Sequence, residues 1–168
     1  DRYLPQGACT SPALTNILCR NMDARMTGIA KKFGFVYTRY ADDIVLSHPD
    51  KNADVGKIIN CTKSVIRDEG FIVHPDKLNV MRPHQRQNVT GIIVNETPKV
   101  SRRDMRKFRS FLHHLEKEGI EQMSAKIGKN AANYAQGYWA FIYMVNAEQG
   151  RKILREHAVL KRVLEREG

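Results

Sequence analysis

Apolar and polar residues follow a helical period at the start of the chain and then a shorter, strand-like period. Apolar side chains recur every three or four positions over 11–33, which predicts an amphipathic helix. Ser11 supplies an N-cap, and Pro12 suits the first helical position. Residues 35–40 and 44–47 are short runs rich in β-branched and aromatic residues. We therefore expect a β-hairpin, with its turn between these two runs.

Helical and strand-like patterns continue to alternate as far as Pro98. A second helix is predicted over 53–69, and Gly70 is a typical C-terminal stop for it. Shorter apolar runs follow, bounded by turn-forming residues. The strands expected from these runs occupy 71–73, 78–81 and 89–94, with a return strand at 99–100.

Only helical patterns occur after Pro98. The predicted helices cover roughly 102–118, 130–146 and 148–166, and a glycine-containing stretch at 119–129 joins the first two. This change of pattern predicts two domains, 1–98 and 99–168. The fold class expected is α+β, in which an antiparallel sheet with packed helices precedes an all-helical bundle.

Positive charge is concentrated in the second of these domains. The whole chain has a net charge of +10 and a pI near 9.7. Residues 1–98 hold 13 basic and 10 acidic residues, whereas 99–168 hold 15 and 8. A basic excess of this kind is typical of proteins that bind a polyphosphate partner, although composition alone also fits a protein that is merely basic.

Other features of composition concern the compartment. Cys9, Cys19 and Cys61 are odd in number and lack metal-ligand spacing, so we expect free thiols in a reducing cytoplasm. No apolar run approaches the roughly 20 residues that span a bilayer, and we expect no membrane partner. The sequence begins at Asp1 rather than Met, which suggests a piece of a longer protein.

Two adjacent carboxylates, Asp42 and Asp43, lie in the expected hairpin turn. Like charges side by side repel, and a bound divalent cation would relieve the repulsion. Mg²⁺ prefers one or two carboxylates with phosphate oxygens and water, and two such ions roughly 4 Å apart would stabilise a phosphoryl transfer. The apolar strands beside the turn predict that its base is buried. Taken alone, however, a Tyr-x-Asp-Asp pattern is better explained by a solvated surface turn, so its neighbours must decide.

Blocks in one order along the whole chain resemble those of reverse transcriptases. They are Leu4-Pro5-Gln6-Gly7, Ser11-Pro12-Ala13-Leu14-Thr15-Asn16, Tyr40-Ala41-Asp42-Asp43, Phe71-Ile72-Val73-His74-Pro75-Asp76-Lys77 and 86–95. The runs Val89-Thr90-Gly91 and Gly137-Tyr138-Trp139-Ala140-Phe141 look like the retron type of bacterial reverse transcriptase. Each block is weak evidence by itself, and the ordered series makes the resemblance specific.

The resemblance implies a right-hand polymerase of which this chain is the second half of the palm, 1–98, and the helical thumb, 99–168. The parent protein is then expected to be an RNA-directed DNA polymerase in the cytoplasm. Its expected partners are an RNA template, a DNA or RNA primer, dNTPs and a cognate structured non-coding RNA.

The resemblance also implies roles for residues in the turn and after it. Asp42 matches the metal ligand of the family hairpin, and Asp43 matches its neighbour. The implied cofactor is Mg²⁺, with Mn²⁺ as an alternative. Tyr40 would lie under the primer end, although a hairpin Tyr also packs readily across strands. Lys77 matches a catalytic Lys that approaches the triphosphate, whereas outside the family a solvated loop Lys would be preferred.

Two further sites follow from the resemblance. Gln6 and Gly7 match the loop that contacts the template and the incoming nucleotide; an ordinary turn is the alternative. Val89, Thr90 and Gly91 match the hairpin that grips the primer and, in retron enzymes, a region linked to recognition of the cognate RNA. A buried strand with a glycine bulge would explain the same three residues.

Basic residues follow one face of the first helix after Pro98. Arg102, Arg106, Arg109 and His113 are spaced by four, three and four residues, while the apolar residues of the same helix form another face. Such a stripe suits contacts with a nucleic-acid backbone. A second, sparser stripe lies in the last predicted helix, where a solvated face is an almost equally good explanation. Its members are Arg151, Arg155, Arg162 and Arg166. The core of the helical bundle is expected to contain most of an aromatic-rich set, although one or two of its members could instead stack on RNA bases. The set is Tyr134, Tyr138, Trp139, Phe141, Ile142 and Tyr143.

One expected catalytic residue is missing. Palms of this family place another metal-binding Asp upstream of the Gln6-Gly7 loop, so the isolated chain is expected to be inactive. A group II intron-type reverse transcriptase that also assists splicing is the nearest alternative. An RNA-binding factor with an idle polymerase fold is an alternative from another class. An RNA-dependent RNA polymerase is disfavoured, since its hairpin usually reads Gly-Asp-Asp.

Overall fold

A computed structural model describes residues 8–165 of the chain. This part of the chain divides into two compact units, which meet along the sequence at Gln85 and Arg86. The first unit contains helices α1 (Ser11–Leu18), α2 (Arg20–Lys32) and α3 (Gly56–Asp68) and strands β1 (Val36–Tyr40) and β2 (Asp43–Ser47). The second contains strands β3 (Asn88–Val89), β4 (Ile92–Ile93) and β5 (Lys99–Val100) and helices α4 (Arg102–Glu118), α5 (Ile120–Ile127), α6 (Ala131–Val145), α7 (Ala147–Glu156) and α8 (Ala158–Glu165).

The single helix predicted over 11–33 is wrong in one respect, because Cys19 interrupts it. Cys19 leaves the helical conformation with ψ near 1° and separates α1 from α2. The predicted N-cap is also displaced by one residue: Thr10 precedes the helix without a side-chain cap, and Ser11 is the first helical residue. Helix α2 buries Met22 and Met26 against α3.

Helix α3 starts three residues later than predicted. The Asp54 carboxylate accepts a hydrogen bond from the Gly56 N–H at 2.9 Å, and Asp50 accepts one from the Asn52 N–H at the same distance. Such local side-chain bonds stabilise turns in competition with a helix. Helix α3 then buries Ile58, Val65 and Ile66.

The hairpin predicted around 41–43 is confirmed. Strands β1 and β2 pair antiparallel, from Val36 opposite Ser47 to Tyr40 opposite Asp43. Tyr37 and Ile44 lie on the face that packs against the core of α2 and α3.

The strands predicted at 71–73 and 78–81 are wrong. Both segments are irregular, with a short 3₁₀ helix at Pro75–Lys77 between them. Ile72 is 95% exposed, and neither segment pairs with a strand of the described residues. A β-prone run without a partner has no ladder to join, so propensity alone does not make it a strand.

In the second unit, the small sheet and the helices share one core. Strand β5 pairs with β4, and Val100 is buried among α4, α6 and α8. The Val100 N–H donates to the Gln149 side chain at 3.0 Å, and the Asn146 side chain donates to the Pro98 carbonyl at 3.0 Å. The compact unit therefore begins at 86 rather than at 99, while the functional division at 98/99 stays a prediction.

The helix prediction for this unit was incomplete. Helices α4 and α6 agree with it within a residue, but the stretch 119–129 contains the additional helix α5. His157 breaks the helix predicted over 148–166 into α7 and α8. The fold class, helices with small antiparallel sheets, is α+β as predicted. Within residues 8–165, no helix is both long and apolar enough to cross a membrane.

Candidate metal site and basic surface

The hairpin turn presents its two carboxylates to solvent. Tyr40 and Asp43 close the strands as a pair, so Ala41 and Asp42 form a two-residue turn, with Ala41 at φ +52°. Asp42 and Asp43 are both exposed, and neither carboxylate makes a hydrogen bond or ion pair with a described residue. The predicted burial of the turn's base is wrong: no residue of β1 or β2 is fully buried, and Tyr40 is 74% exposed.

The turn offers part of a coordination shell for a divalent cation. Its carboxylate oxygens are not engaged by other described side chains, which leaves them available to a hard cation. In the part of the chain from 8 to 165, no group of three or more His, Cys, Asp or Glu residues could hold a metal ion. Asp42 and Asp43 therefore supply two carboxylates and leave the remaining coordination to other ligands.

An arginine beside the turn was not predicted as a site residue. The Arg39 guanidinium donates to both carboxylate oxygens of Asp23, through Nε at 2.8 Å and Nη2 at 2.7 Å. Its Nη1 donates to the Ala41 carbonyl at 2.8 Å, and its Nη2 also reaches the Asn16 side chain at 3.1 Å. The Tyr37 hydroxyl donates to Asp23 at 2.6 Å. We call Arg39, Asp23, Tyr37 and Asn16 the arginine cluster.

Ionisation in the arginine cluster follows from these contacts. The hydrogen bond from Arg39 holds the pKa of the Asp23 carboxyl below its usual value, against the opposing effect of burial. Burial, with the hydrogen bond to Asp23, raises the pKa of Tyr37 above its ordinary range. Asp23 also raises the pKa of Arg39, so the pair remains charged. One sequence signal could have revealed the cluster: strand alternation places Arg39 on the same, inward face as Tyr37.

The other predicted site residues of the first unit are less constrained. Lys77 is exposed at the end of the 3₁₀ helix and makes no ion pair with a described residue. Gln6 and Gly7 lie outside the described residues. The structure therefore brings Tyr40, Asp42 and Asp43 together on one hairpin. It shows no contact between Lys77 and these residues, and it does not describe Gln6 and Gly7.

Val89, Thr90 and Gly91 form a tight hairpin in the second unit. The single strand predicted over 89–94 is wrong, because Thr90 and Gly91 form a turn between β3 and β4, and both have positive φ, +48° and +89°. Two such residues in succession are typical of a turn that matches strand twist, and glycine adopts the second position without strain. Thr90 and Gly91 are exposed, whereas Val89 is half-buried.

The basic stripe predicted on α4 lies beside a buried face of the same helix. The predicted apolar residues of this helix, Met105, Phe108, Leu112 and Leu115, are all buried. Arg102 and Arg106 are exposed, and neither has an ion pair among residues 8–165. Arg109 differs, since its Nε lies 3.3 Å from a Glu156 carboxylate oxygen on α7. Of the three arginines in the stripe, Arg102 and Arg106 are therefore the more available to an anionic ligand.

The prediction for the aromatic residues of α6 is confirmed in part: Tyr138, Trp139 and Phe141 are half-buried against the bundle core, whereas Tyr143 is exposed. Tyr138 contacts Phe108 with ring centroids 4.8 Å apart, and Tyr134 contacts Phe111 edge-on at 4.9 Å. In the predicted second stripe, Arg162 lies 3.7 Å from Glu116 and Arg151 lies over the Tyr143 ring. These partners agree with a solvated face for that stripe.

Comparison with known proteins gives the class of protein. Residues 1–126 match the family model for reverse transcriptase (RNA-dependent DNA polymerase). The chain belongs to this family, whose members act on an RNA template with nucleotide substrates and use divalent metal ions.

Individual relatives narrow the class to retron enzymes. The chain is 37% identical to the Retron Mx162 reverse transcriptase of Myxococcus xanthus, over 92% of this chain and 34% of that protein. It is 35% identical to the Retron Mx65 reverse transcriptase of the same organism, with the same coverage, and 31% identical to the Retron Ec86 reverse transcriptase of Escherichia coli, over 90% of this chain and 44% of that protein. The predicted resemblance to retron reverse transcriptases is confirmed. The chain spans between about a third and a half of the length of these relatives.

Proposed function

We propose that this chain is the second half of the palm and the thumb of a retron-type reverse transcriptase. The observation that carries the proposal is the hairpin turn, where Asp42 and Asp43 present carboxylates that no described residue engages. The family match supplies the reaction class, RNA-directed DNA synthesis. The retron relatives favour this type over a group II intron enzyme. The partner proposed with it is a cognate structured non-coding RNA, as the resemblance to retron enzymes implies.

Asp42 and Asp43 would hold Mg²⁺, or Mn²⁺ in its place, with Asp42 as the main ligand. When bound, the ions activate the attacking primer hydroxyl and stabilise the leaving pyrophosphate. Tyr40 shares the outer face of the hairpin with Asp43, since the two residues pair across the strands. That placement suits a ring beneath the primer end. Lys77, exposed and unpaired among the described residues, would neutralise charge on the leaving pyrophosphate or donate a proton to it.

The second unit would hold the duplex without reading its sequence. Arg102, Arg106 and Arg109 lie on the stripe beside the buried face of α4, which suits contacts with successive phosphates. The hairpin turn at Thr90 and Gly91 exposes backbone that would contact the primer or the cognate RNA. Gln6 and Gly7 would contact the template and the incoming nucleotide.

Two carboxylates are too few for a two-metal site, and within residues 8–165 no third metal-binding side chain joins them, so an upstream carboxylate would complete the site in the parent protein. We therefore expect the purified 168-residue chain to incorporate no dNTP on a primed RNA in the presence of Mg²⁺. Incorporation that requires Asp42 in this chain would contradict the proposed incomplete site.

Asp42→Asn tests the site in the full-length polymerase that contains this chain. The change removes a negative charge from the ligand while keeping its size, so primer extension should fall by about 10³-fold or more, an effect of the size seen when a main electrostatic group is lost. RNA binding measured by filter retention should be unchanged. Asp68→Asn is the matched control, because Asp68 is an exposed carboxylate of the same unit that pairs with Arg25 instead of lying in the turn. Normal extension by Asp42→Asn would refute the site.

A further inference from the structure

Arg39 is a charged residue in a protected position beside the carboxylate turn. Only 6% of its side chain is exposed, although β1 is otherwise half-buried or exposed. A guanidinium removed from water is costly unless its donors are satisfied. Here Nε, Nη1 and Nη2 all have acceptors, at distances from 2.7 to 3.1 Å. These contacts therefore fix the orientation of the guanidinium plane in addition to compensating its charge.

One of these acceptors belongs to the turn itself. The Ala41 carbonyl, 2.8 Å from Nη1, is part of the peptide group that joins Ala41 to Asp42. Holding that oxygen fixes the orientation of the peptide plane, and with it the direction in which Asp42 leaves the backbone. Ala41 has φ +52°, a conformation that non-glycine residues rarely adopt and that persists only when its surroundings enforce it.

The remaining acceptors lie on helices. Asp23 on α2 accepts two bonds from Arg39, and Asn16 on α1 accepts a third. The Tyr37 hydroxyl donates to Asp23 and limits rotation of that carboxylate. Packing cannot perform this task at the turn, because Tyr40, Ala41 and the two carboxylates are all exposed. Apolar packing therefore reaches only as far as Ile44, and the guanidinium adds a polar link from the helices to the Ala41 carbonyl of the turn.

We propose that Arg39 is a positioning residue for the metal-binding carboxylates, holding the Ala41–Asp42 peptide in place by a fork fixed on Asp23. This inference rests on the proposed polymerase function. Arg39 does not touch the reacting atoms; it acts through the backbone of the turn. An arginine is required rather than a positive charge, because Lys has no planar fork that could bind Asp23 and the Ala41 carbonyl together.

Arg39→Lys in the full-length polymerase tests the proposal. The variant keeps the charge and one contact with Asp23, so the unit should still fold. Turnover should fall about 10- to 100-fold, as expected for a misplacement near 1 Å, with the KM for primer–template unchanged. Mn²⁺ binding without nucleotide, measured by electron paramagnetic resonance, should weaken in the same variant. That readout does not depend on catalysis.

Arg25→Lys is the matched control. Arg25 lies on α2, as Asp23 does, and its guanidinium also pairs with carboxylates, Asp68 at 2.8 Å and Glu69 at 2.7 Å, but it makes no contact with the turn. Its substitution should leave turnover and Mn²⁺ binding unchanged. Asp23→Asn is the second variant, since it weakens the fork without altering the turn or β1. Its turnover should fall between those of the wild type and Arg39→Lys.

The outcomes separate this inference from the proposed function. If Asp42→Asn abolishes extension while Arg39→Lys turns over normally, the site stands and the positioning role is overturned. The role is also overturned if Arg39→Lys and Arg25→Lys lose activity equally, in step with lower melting temperatures, because that pattern indicates general stability. If Arg39→Lys does not fold, normal turnover by Asp23→Asn overturns the proposal. Normal extension by Asp42→Asn would instead refute the proposed function.

Discussion

Replacing Arg106 by Gln tests the basic face of α4 most directly. Arg106 is exposed and has no ion pair in the described part of the chain, so its charge is available to a phosphate. Each phosphate neutralised by a protein cation releases condensed counterions and adds about 0.9 to the slope of log affinity against log salt. The loss of this one contact should therefore lower the slope by about 0.9.

The expected effect can be stated as a change in affinity. Between about 50 and 200 mM salt, a slope difference of 0.9 corresponds to roughly 3.5-fold, so the variant should lose about 3.5-fold less affinity than the wild type over that range. Removing Arg102 as well should bring the difference to about 12-fold. Arg109→Gln should change the slope less than Arg106→Gln does, because Glu156 already partly neutralises Arg109 at 3.3 Å.

Fluorescence anisotropy with a labelled RNA–DNA duplex, titrated at several salt concentrations, measures these slopes. Lys107→Gln is the control, since it removes the same charge from the next position, about 100° further round the helix. An equal fall in slope for Arg106→Gln and Lys107→Gln would refute the assignment of a specific face. No fall for Arg106→Gln would place Arg106 on an ordinary solvated surface.

Two further predictions concern the stability of the second unit, where Trp139 is the chain's only tryptophan and reports unfolding by fluorescence. A Cβ at Gly150 would lie 2.8 Å from the Cα of Tyr143, so Gly150→Ala should destabilise the unit by about 1 kcal/mol or more even after the gain in helix propensity. A Cβ at Gly137 would meet no atom within 4 Å, so Gly137→Ala should stabilise the unit by about 0.5–1 kcal/mol. Urea midpoints of the two variants that shift in the same direction would contradict this. Burial lowers the pKa of His157 below its usual 6.5, with Arg109 and His113 acting in the same direction and Glu156 and Glu116 opposing. The unfolded chain then takes up the proton more readily, so stability should fall as the pH drops from about 8 to 5, and His157→Gln should reduce this dependence; an unchanged pH profile would contradict it.

Local signals were sufficient for the hairpin and for most helices. The runs on either side of the Asp42-Asp43 turn pair with each other, so each strand finds its partner within a dozen residues along the chain. The buried face of α4 was likewise visible, because helical periodicity places Met105, Phe108 and Leu112 together. In both cases the residues that make the feature are close neighbours along the chain, so a local pattern is enough to predict it.

Non-local partners explain what the sequence did not predict. The runs at 71–73 and 78–81 have the composition of strands but find no strand to pair with among the described residues. The break at Cys19 lies inside an uninterrupted helical pattern, and no local breaker marks it. Arg39 and Asp23 are 16 residues apart, on a strand and a helix, and no periodicity relates them.

The turn also shows why a polar link is needed where a core would ordinarily suffice. Carboxylates that bind a cation and a substrate must remain accessible, so the end of the hairpin cannot be buried under apolar side chains. Apolar packing against α2 and α3 accordingly stops at Tyr37 and Ile44. The pair that closes the strands, Tyr40 and Asp43, is exposed, and no residue of either strand is fully buried. A hairpin end of this kind would fray as an isolated ribbon. The Arg39 fork extends from the packed level to the Ala41 carbonyl, so it can hold the turn rigid while leaving both carboxylates open to solvent.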